Sequence, residues 1–543
     1  MDHFYNHPDR LIADVLEGVA LTTGVHYSED PAARILMRPD WQPDREGRDR
    51  VAVISGGGSG HEPAHAGFIG QGMLTAAVAG ELFASPSVEA ILAAIRACCS
   101  DAGCLLVIKN YTGDRLNFGL AAERAREEGY RVASVIVADD IALPDTDQPR
   151  GLAGTVLVHK VAGFHAERGD DLDTVEQRTL HMVQGVKSLG MALSSAALPG
   201  QRGERRSPEL GLGIHNEPGA RRVDPGTAEE AAALVVDPLK EALTDTDNTL
   251  MLINNLGGCA PQEMQVLARE CLKRWGSDRV RCLVGPASLM SSLDMHGFSI
   301  SVVAADDDLT EAVTAPTTAA AWPGATTERQ ATAFTPTFSR TTEPGSGARD
   351  AERASHLTRL AEAIRDSEAE LDELDARTGD GDAGATFAAG ARAILEALKQ
   401  DRLSTGDDAE LAGELGRLFA SAMGGSSGVL LSILMTATAQ ALEAGSDWPN
   451  ALQAGVERMQ HYGGAQEGDR TLLDALIPAV RTLVEGNPMA DAARRAREGA
   501  DATAKLERAG AGRSAQVPSE SLSGVVDPGA EAIARALEAL ARS

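Results

Sequence analysis

The sequence is poor in aromatic residues, 3% of its 543 positions, and poor in positive charge. Its 50 Lys and Arg face 79 Asp and Glu, a formal net charge of 50 − 79 = −29. That balance excludes a broad grip on nucleic-acid phosphates, which needs a basic footprint. Small anions are left to specialised sites. Six cysteines (Cys98, Cys99, Cys104, Cys259, Cys271 and Cys282) include no CxxC pair. In a chain of this length they read as reduced, buried thiols. The opening "MDHFYNHPDR" has no basic segment followed by an apolar run, so no secretory signal is expected. The longest apolar stretch, "VLLSILMTATAQAL", is broken by Ser, Thr and Gln and reads as too short for a bilayer. A cytoplasmic protein with neither nucleic-acid nor membrane partners is expected. What the chain has in quantity is apolar residues, 43% of the total, enough for about two to four domains with buried cores.

Up to about residue 305, short β-type runs alternate with Ala-rich helical patterns. "RVAVISGGGSG", "GCLLVIKNYTGD", "RVASVIVADD", "TLMLINNLGG" and "RVRCLVG" read as strands ending in glycine or polar turns. The alternation predicts an α/β fold, in which ligands gather at the carboxyl ends of strands. Residues 312–345 hold 10 Thr and 4 Pro and read as an interdomain linker. Beyond Arg349 the pattern is helical throughout, predicting an all-α domain of about seven to nine helices. The expected boundaries are an α/β domain over 1–311, a linker over 312–348 and a helical domain over 349–543.

"SGGGSGHEPAHAG" contains His61-Glu62-Pro63-Ala64-His65, which matches the H-E-x-x-H pattern of zinc peptidases. That chemistry needs both histidines on one helical face. Pro63 belongs in a first turn, so a helix is expected to start near Glu62 or Pro63, leaving His61 in the loop. A zinc site is therefore rejected. Gly56, Gly57, Gly58, Ser59 and Gly60 approach a dinucleotide fingerprint, but its sixth position falls on His61, so a Rossmann site is discounted too. Lys109, Asp114 and His61 all follow strands and could meet on one polar ligand. His215 lies in "LGLGIHNEPGA" beside glycines and Glu217.

In the helical half, "LDELDARTGDGDAGATF" crowds Asp375, Asp380 and Asp382 into eight residues. An EF-hand fails, because its third position is Gly384 when counted from Asp380 and its twelfth is Ala391. Three carboxylates repel unless cations neutralise them, and magnesium holding phosphates suits such a set. "MGGSSG", "EGDRTLLDAL", "AGAGRS" and "DPGAEA" add glycine-rich loops, several of them at helix starts that offer free N–H groups to phosphate. No G-x-x-x-x-G-K-[ST] occurs, which rules out a P-loop.

Together these motifs resemble the ATP-dependent dihydroxyacetone kinases over essentially the whole chain. The resemblance implies an α/β ketose-binding domain of two subdomains, followed by an antiparallel helical barrel that holds ATP through two Mg2+ ions, in a homodimer. It implies a covalent bond from His215 to the ketose carbonyl, a ligand loop at Gly56, Gly57, Gly58 and Ser59, and further contacts from Lys109 and Asp114. Asp114 and His61 become candidate acid–base groups. Asp375, Asp380 and Asp382 become metal ligands. Nucleotide contacts fall on Gly384, Ala385, Thr386, Ser426, Ser427, Thr471, Asp527, Pro528 and Gly529, and Arg513 is a candidate to neutralise transition-state charge. Asn216 departs from the glycine expected there. With the site split between domains, the helical domain is expected to swing onto the α/β domain. A kinase for erythrulose or glyceraldehyde would keep every motif, and some relatives also cyclise flavin adenine dinucleotide. A non-catalytic ketose sensor is the alternative of another class, although it would need neither the aspartates nor His215.

Overall fold

The structure, a computed structural model, describes residues 4–542 except 31, 43–49, 145, 197–206, 216, 244–246, 330 and 337–348. Asn216 therefore lies outside the described residues. The chain divides into two compact units, Met1–Ala333 and Phe334–Ser543.

In the first unit, β1 (His26–Tyr27), β2 (Ile35–Met37), β3 (Ala52–Ser59), β4 (Ala76–Leu82), β5 (Cys104–Lys109) and β6 (Val132–Val137) form one sheet. Their order is β1-β2-β4-β3-β5-β6. A second sheet contains β7 (Lys187–Ala192), β8 (Glu209–Leu210), β9 (Arg221–Arg222), β10 (Thr249–Asn255), β11 (Val280–Ala287), β12 (Gly297–Ala304) and β13 (Ala325–Thr326). Its order is β13-β11-β10-β12-β7-β8-β9. The five runs read as strands are β3, β5, β6, β10 and β11.

Every residue of β3 and β5 is buried. That explains runs that are continuously apolar rather than alternating, as in parallel strands covered on both faces. β3 pairs with β5 in parallel, Ile54 opposite Leu106, so their carboxyl ends finish side by side. The helix Gly154–Arg168 lies in the main core, where its Val156, Leu157 and Val161 join Val53 and Leu105 of the first sheet and Leu250 and Leu252 of the second. All six cysteines are free and buried.

Three local expectations are corrected. No α-helix starts at Glu62 or Pro63: residues 61–65 form a turn that runs into a 3-10 helix, Ala66–Phe68. The backbone closes separate turns in place of a continuous helical ladder: the Ala64 N–H bonds the His61 carbonyl at 3.1 Å, the Gly67 N–H the Pro63 carbonyl at 2.8 Å and the Phe68 N–H the His65 carbonyl at 3.1 Å. Nor does the chain leave the first unit at 312. Ala312 and Val313 are fully buried in the helix Asp307–Thr314, Ala319 is buried, and Ala325–Thr326 pairs with β11. The Thr/Pro composition hid small apolar side chains that cover the core. Finally, the helix Gly425–Glu443 has 19 residues and mean hydropathy 1.3, long and apolar enough to cross a membrane. The run is extended by the small residues that open it, and its Leu431, Leu434 and Met435 are packed in the helical core.

Among the described residues, the second unit contains no strand. Nine α-helices run from Ala351–Asp366 to Pro528–Ala541, with one extra turn at Ser519–Leu522. Leu371, Phe387, Leu415, Leu434 and Leu473 share its core. A second cluster is built of alanines, Ala475, Ala479, Ala492, Ala496, Ala500, Ala530 and Ala534, which lets the helices Leu473–Val484, Met489–Thr503 and Pro528–Ala541 approach closely.

Candidate functional site

The carboxyl end of β3 is glycine because nothing larger fits. A Cβ on Gly56 would collide with the Val78 carbonyl, and one on Gly58 with the backbone of Phe83 and Ala84. At Gly57 a Cβ would stand 3.1 Å from Lys109 Nζ and 3.5 Å from His65 Nε2, so glycine keeps both nitrogens uncovered toward the loop. Ser59 turns its hydroxyl to the Gly80 carbonyl at 2.9 Å, a structural bond.

Lys109 ends β5 fully buried, and its Nζ has no hydrogen-bond partner among the described residues. Burial lowers its pKa, while Asp114, Glu217 and Glu62 pull it back up. Asp114, in the first turn of the helix Thr112–Glu127, is buried and accepts from the Ser85 hydroxyl. His61 is also fully buried, with Nδ1 2.9 Å from the Ser291 carbonyl and Nε2 without a partner among the described residues. A carbonyl can only accept, so Nδ1 carries the hydrogen and the neutral ring keeps a lone pair on Nε2. Burial, then the charges of Lys109 and His215, hold His61 well below the ordinary histidine range.

His215 stands against these groups. Its Nδ1 faces Glu217 Oε1 at 3.3 Å, and Glu217 Oε2 accepts the His215 backbone N–H at 2.9 Å. Burial raises the Glu217 carboxyl, but the His215 hydrogen bonds outweigh it and hold it at about 2. The rings of Tyr111, His61 and Phe83 stand edge-on to the imidazole with centroids at 4.2, 4.7 and 5.7 Å.

The first unit thus brings together His61, Lys109, Asp114 and the glycine loop around His215, where several buried polar atoms lack partners. Tyr111 and Phe83 were missed, although Tyr111 lies inside "KNYTGD" between two residues that were singled out. His65, weighed above only as a zinc ligand, is hydrogen-bonded at 2.9 Å to His159, which was missed as well. Nothing in the helical stretch around His159 signals that contact. A cavity of 530 Å³ shares residues 57–60 but is otherwise mostly apolar, lined in part by the helix Leu11–Thr23. Neither His61, Lys109 nor His215 is on its wall.

In the second unit a cavity of 590 Å³ is lined by Asp375, Asp380, Asp382, Thr386, Ser426, Ser427, Thr471, Arg513, Asp527, Pro528 and Gly529. Gly384 and Ala385 are not on its wall: Gly384 is packed under the Glu368 carbonyl, and the Ala385 N–H bonds Asp372 at 3.0 Å. Asp375 is buried and organises the loop, its Oδ2 accepting the N–H groups of Gly381, Asp382 and Ala383 at 2.9, 2.9 and 3.2 Å. One oxygen from each of Asp375, Asp380 and Asp382 lies within 4.8 Å of the others. The Arg513 guanidinium is drawn onto this set, pairing with Asp380 and lying 3.4 Å from Asp382. All-oxygen donors whose field already attracts a cation fit a hard divalent ion. Asp527 is pushed up to about 6 by burial and caps the final helix through the Ala530 N–H at 2.8 Å. Sequence reasoning missed Val429 and Tyr462, 56% and 67% exposed, which give the cavity an apolar wall. Exposure of that kind shows only in the folded chain.

A Dak1 domain model matches residues 17–321, and a DAK2 domain model matches residues 377–542. The dihydroxyacetone kinase of Citrobacter freundii is 44% identical over 550 residues, covering 99% of both chains. The human triokinase/FMN cyclase is 41% identical over 530 residues, covering 91% of both. The crystal structure of the C. freundii kinase in complex with AMP-PNP and Mg2+ superposes with a TM-score of 0.79 at 42% identity, covering 99% of each chain. With both domain models in order along one chain and a relative that close over its full length, the protein belongs to the dihydroxyacetone kinase family.

Proposed function

We infer that the chain is an ATP-dependent kinase that transfers a phosphoryl group to a primary hydroxyl of dihydroxyacetone, with the ketose held in the first unit and ATP in the second. One observation carries this reading most directly. A histidine that can attack a carbonyl is ringed by buried His61 Nε2 and Lys109 Nζ, neither of which has a partner among the described residues. Buried donors and acceptors left unpaired call for a polar ligand.

His215 holds the ketose as a hemiaminal. With Nδ1 donating toward Glu217, the neutral ring keeps Nε2 as the nucleophile. The N–C bond forms as the carbonyl π pair moves to oxygen. The oxygen gains one proton and the ring sheds one from Nδ1, so the adduct is neutral. Glycerol has no carbonyl and is excluded by this chemistry. Lys109 Nζ donates to a substrate oxygen, and His61 Nε2 and Asp114 handle the proton of the attacking hydroxyl.

Asp375, Asp380 and Asp382 would hold two magnesium ions, which when bound neutralise polyphosphate charge. N–H groups at Ser426 and Ser427, Thr471 and the loop at Asp527, Pro528 and Gly529 receive the nucleotide, joined by Thr386, the residue after the aspartate loop that does reach the cavity wall. Val429 and Tyr462 suit the flat face of the base. Arg513 neutralises charge on the transferred group. The resemblance also supports a homodimer, which sedimentation of the purified chain tests.

The deciding experiment offers dihydroxyacetone, glyceraldehyde, both erythruloses and glycerol with ATP, alongside mass spectrometry of the intact protein with dihydroxyacetone. Phosphorylation of dihydroxyacetone and a reducible adduct lost in His215→Ala are expected. Equal phosphorylation of glycerol, or a ketose bound with no adduct, would refute the covalent hold.

A further inference from the structure

Behind the ketose side of the first unit, three segments bring one thiol, one carboxylate and one imidazole together. Cys259 follows the β10 loop, Glu263 lies in the first turn of the helix Pro261–Trp275, and His296 immediately precedes β12. One ligand atom from each lies within 4.8 Å of the others. The three have no part in the chemistry assigned above.

We propose that Cys259, Glu263 and His296 form a binding site for a divalent cation of borderline softness, Zn2+ or a chemical equivalent. The donor set decides the class: thiolate with imidazole selects such ions over Mg2+, which prefers oxygen. Burial decides the access. Cys259 is 8% exposed at the base, while the Glu263 and His296 side chains are 44% and 37% exposed at the mouth. The ion therefore enters from solvent, and a water completes a tetrahedral set.

The surroundings hold the donors in place without the ion. Asn255 braces the cysteine loop, its Oδ1 accepting the N–H groups of Gly257 and Cys259 at 2.9 and 3.3 Å and its Nδ2 donating to the Cys259 carbonyl at 2.9 Å. Glu263 Oε2 accepts the Ala260 N–H at 2.7 Å, which aims the other oxygen at His296 Nε2, 3.0 Å away. The bonds from Asn255 and from the Ala260 N–H are outer bonds of the kind that orient metal ligands, and the ion takes the place of the hydrogen now shared by Glu263 and His296. Gly257 and Gly258 allow the loop to lie against residues 293–296, where side chains would collide. Small rotations close the set to metal bonds of about 2.0–2.3 Å. Binding displaces the Cys259 proton, which the thiol otherwise shares with the Gly297 carbonyl at 3.3 Å. One proton is released for each ion bound, so affinity rises with pH.

Occupancy would be felt at the ketose site. The segment that carries His296 also carries Ser291, whose carbonyl meets His61 Nδ1, and Leu293, whose N–H bonds the Gly60 carbonyl at 2.9 Å. An ion tying this segment to the β10 loop stiffens that wall.

Cobalt reports the site directly, because a thiolate ligand gives Co2+ an intense near-ultraviolet charge-transfer band that carboxylates do not. Full-length protein in excess Mg2+ is titrated with Co2+. One equivalent of thiolate-coordinated cobalt is expected, and Zn2+ should displace it. Cys259→Ser should abolish the band and His296→Ala should weaken cobalt binding about tenfold or more, while Asp380→Asn should leave both unchanged. Thermal midpoints of the variants without metal confirm that they are folded. No thiolate band in the wild type at millimolar cobalt, or a band that survives Cys259→Ser in a folded protein, overturns the proposal.

Discussion

The imidazoles of His61 and His215 meet edge to face, 4.7 Å between centroids at an interplanar angle of 77°. The first has its Nδ1 hydrogen committed to a carbonyl and its Nε2 bare. The second has its Nδ1 committed to Glu217. Two neighbouring rings are thereby assigned different work by the acceptors behind them.

His61 should act as a base over an unusually wide pH range. Burial and the Lys109 and His215 charges keep it neutral well below the ordinary histidine value of about 6.5. The acid limb of kcat/KM for the ketose should therefore lie well below that value. Lys109→Met removes a cationic neighbour, so His61 titrates higher and the limb should move up in pH, along with a loss of affinity. A pH–rate profile of the variant whose limb stays where the wild type's is would show that His61 is not the titrating base.

Three buried histidines also set the acid stability of the first unit. His61 and His65 are held well below the ordinary value, and burial lowers His159 to about 3. Their folded pKa values are depressed, so the stability they carry is complete above the unfolded value of about 6.5 and is lost as pH falls toward the folded ones. Asp139, pushed up to about 6 by burial, opposes them: it favours the folded state below that pH and ceases to as pH rises. In a comparison with His159→Gln the Asp139 contribution cancels. The variant should take up about one proton fewer on unfolding, read as a shallower slope of stability against pH between about 6 and 4. Denaturation followed by tryptophan fluorescence measures it, since Trp41, Trp275 and Trp322 of the four tryptophans lie in the first unit. Parallel slopes would contradict the assignment.

Where the first unit ends is testable by truncation. Residues 1–333 should fold alone, whereas residues 1–310 should be insoluble or severely destabilised. The shorter piece loses the fully buried Ala312 and Val313. It also strips buried Lys160 of its partner, the Ala312 carbonyl at 2.8 Å. Leaving such a donor unpaired costs about 1–3 kcal/mol before any loss of packing is counted. Equal thermal midpoints for the two pieces would restore the boundary that composition suggested.

That boundary shows where sequence stops being legible. The glycine loop, "KNYTGD" and the aspartate loop can be read because their chemistry is local: each packs unusual residues within a few positions. β3 and β5 can be read because burial on both faces leaves an unbroken apolar run. β4 is written "AAVAGEL", with little β-branched content to mark it, and was not seen. Contacts between distant positions were hidden for a simpler reason. Arg513 reaches Asp382 across 131 residues, and His159 reaches His65 across 94. Only the fold brings either pair together.

The three aspartates should not behave alike. Asp380 and Asp382 are exposed and pair with Arg513, whereas buried Asp375 holds three backbone N–H groups of its loop. Asp380→Asn should abolish turnover while leaving ketose binding and the thermal midpoint near wild type. Asp375→Asn should lose turnover and lower the midpoint too, because a neutral amide oxygen accepts three hydrogen bonds less well than a carboxylate. Calorimetry of both variants with ketose decides. A fall in midpoint confined to Asp380→Asn would reverse the roles.

Arg470 offers the sharpest test of how the nucleotide pocket is held. It is 1% exposed, and its backbone is left-handed at φ 60°, a conformation that a large side chain adopts only when its surroundings fix it. Its Nη2 donates to the Val525 carbonyl at 2.7 Å, while Nε and Nη1 have no partner among the described residues. On one side its neighbour Thr471 is tied through its N–H to Asp474 at 2.7 Å. On the other, Val525 leads two residues later to Asp527, whose carboxylate is stabilised by the Arg470 charge. Arg470 therefore links the two loops that contribute Thr471 and Asp527, Pro528 and Gly529, without being among the groups assigned to the reacting phosphoryl. Arg470→Met should leave the Val525 carbonyl and the Asp527 charge uncompensated, and the two loops should drift apart. A lost hydrogen bond from a charged donor is worth about 1.5–3 kcal/mol, so KM for ATP should rise about ten- to a hundredfold. Turnover at saturating ATP and KM for the ketose should change far less. Arg470→Lys keeps the charge and one donor and should recover part of the loss. A fall in turnover with KM unchanged would place Arg470 at the reacting atoms instead, and a Lys variant no better than Met would show that its charge and donor are not what the pocket needs.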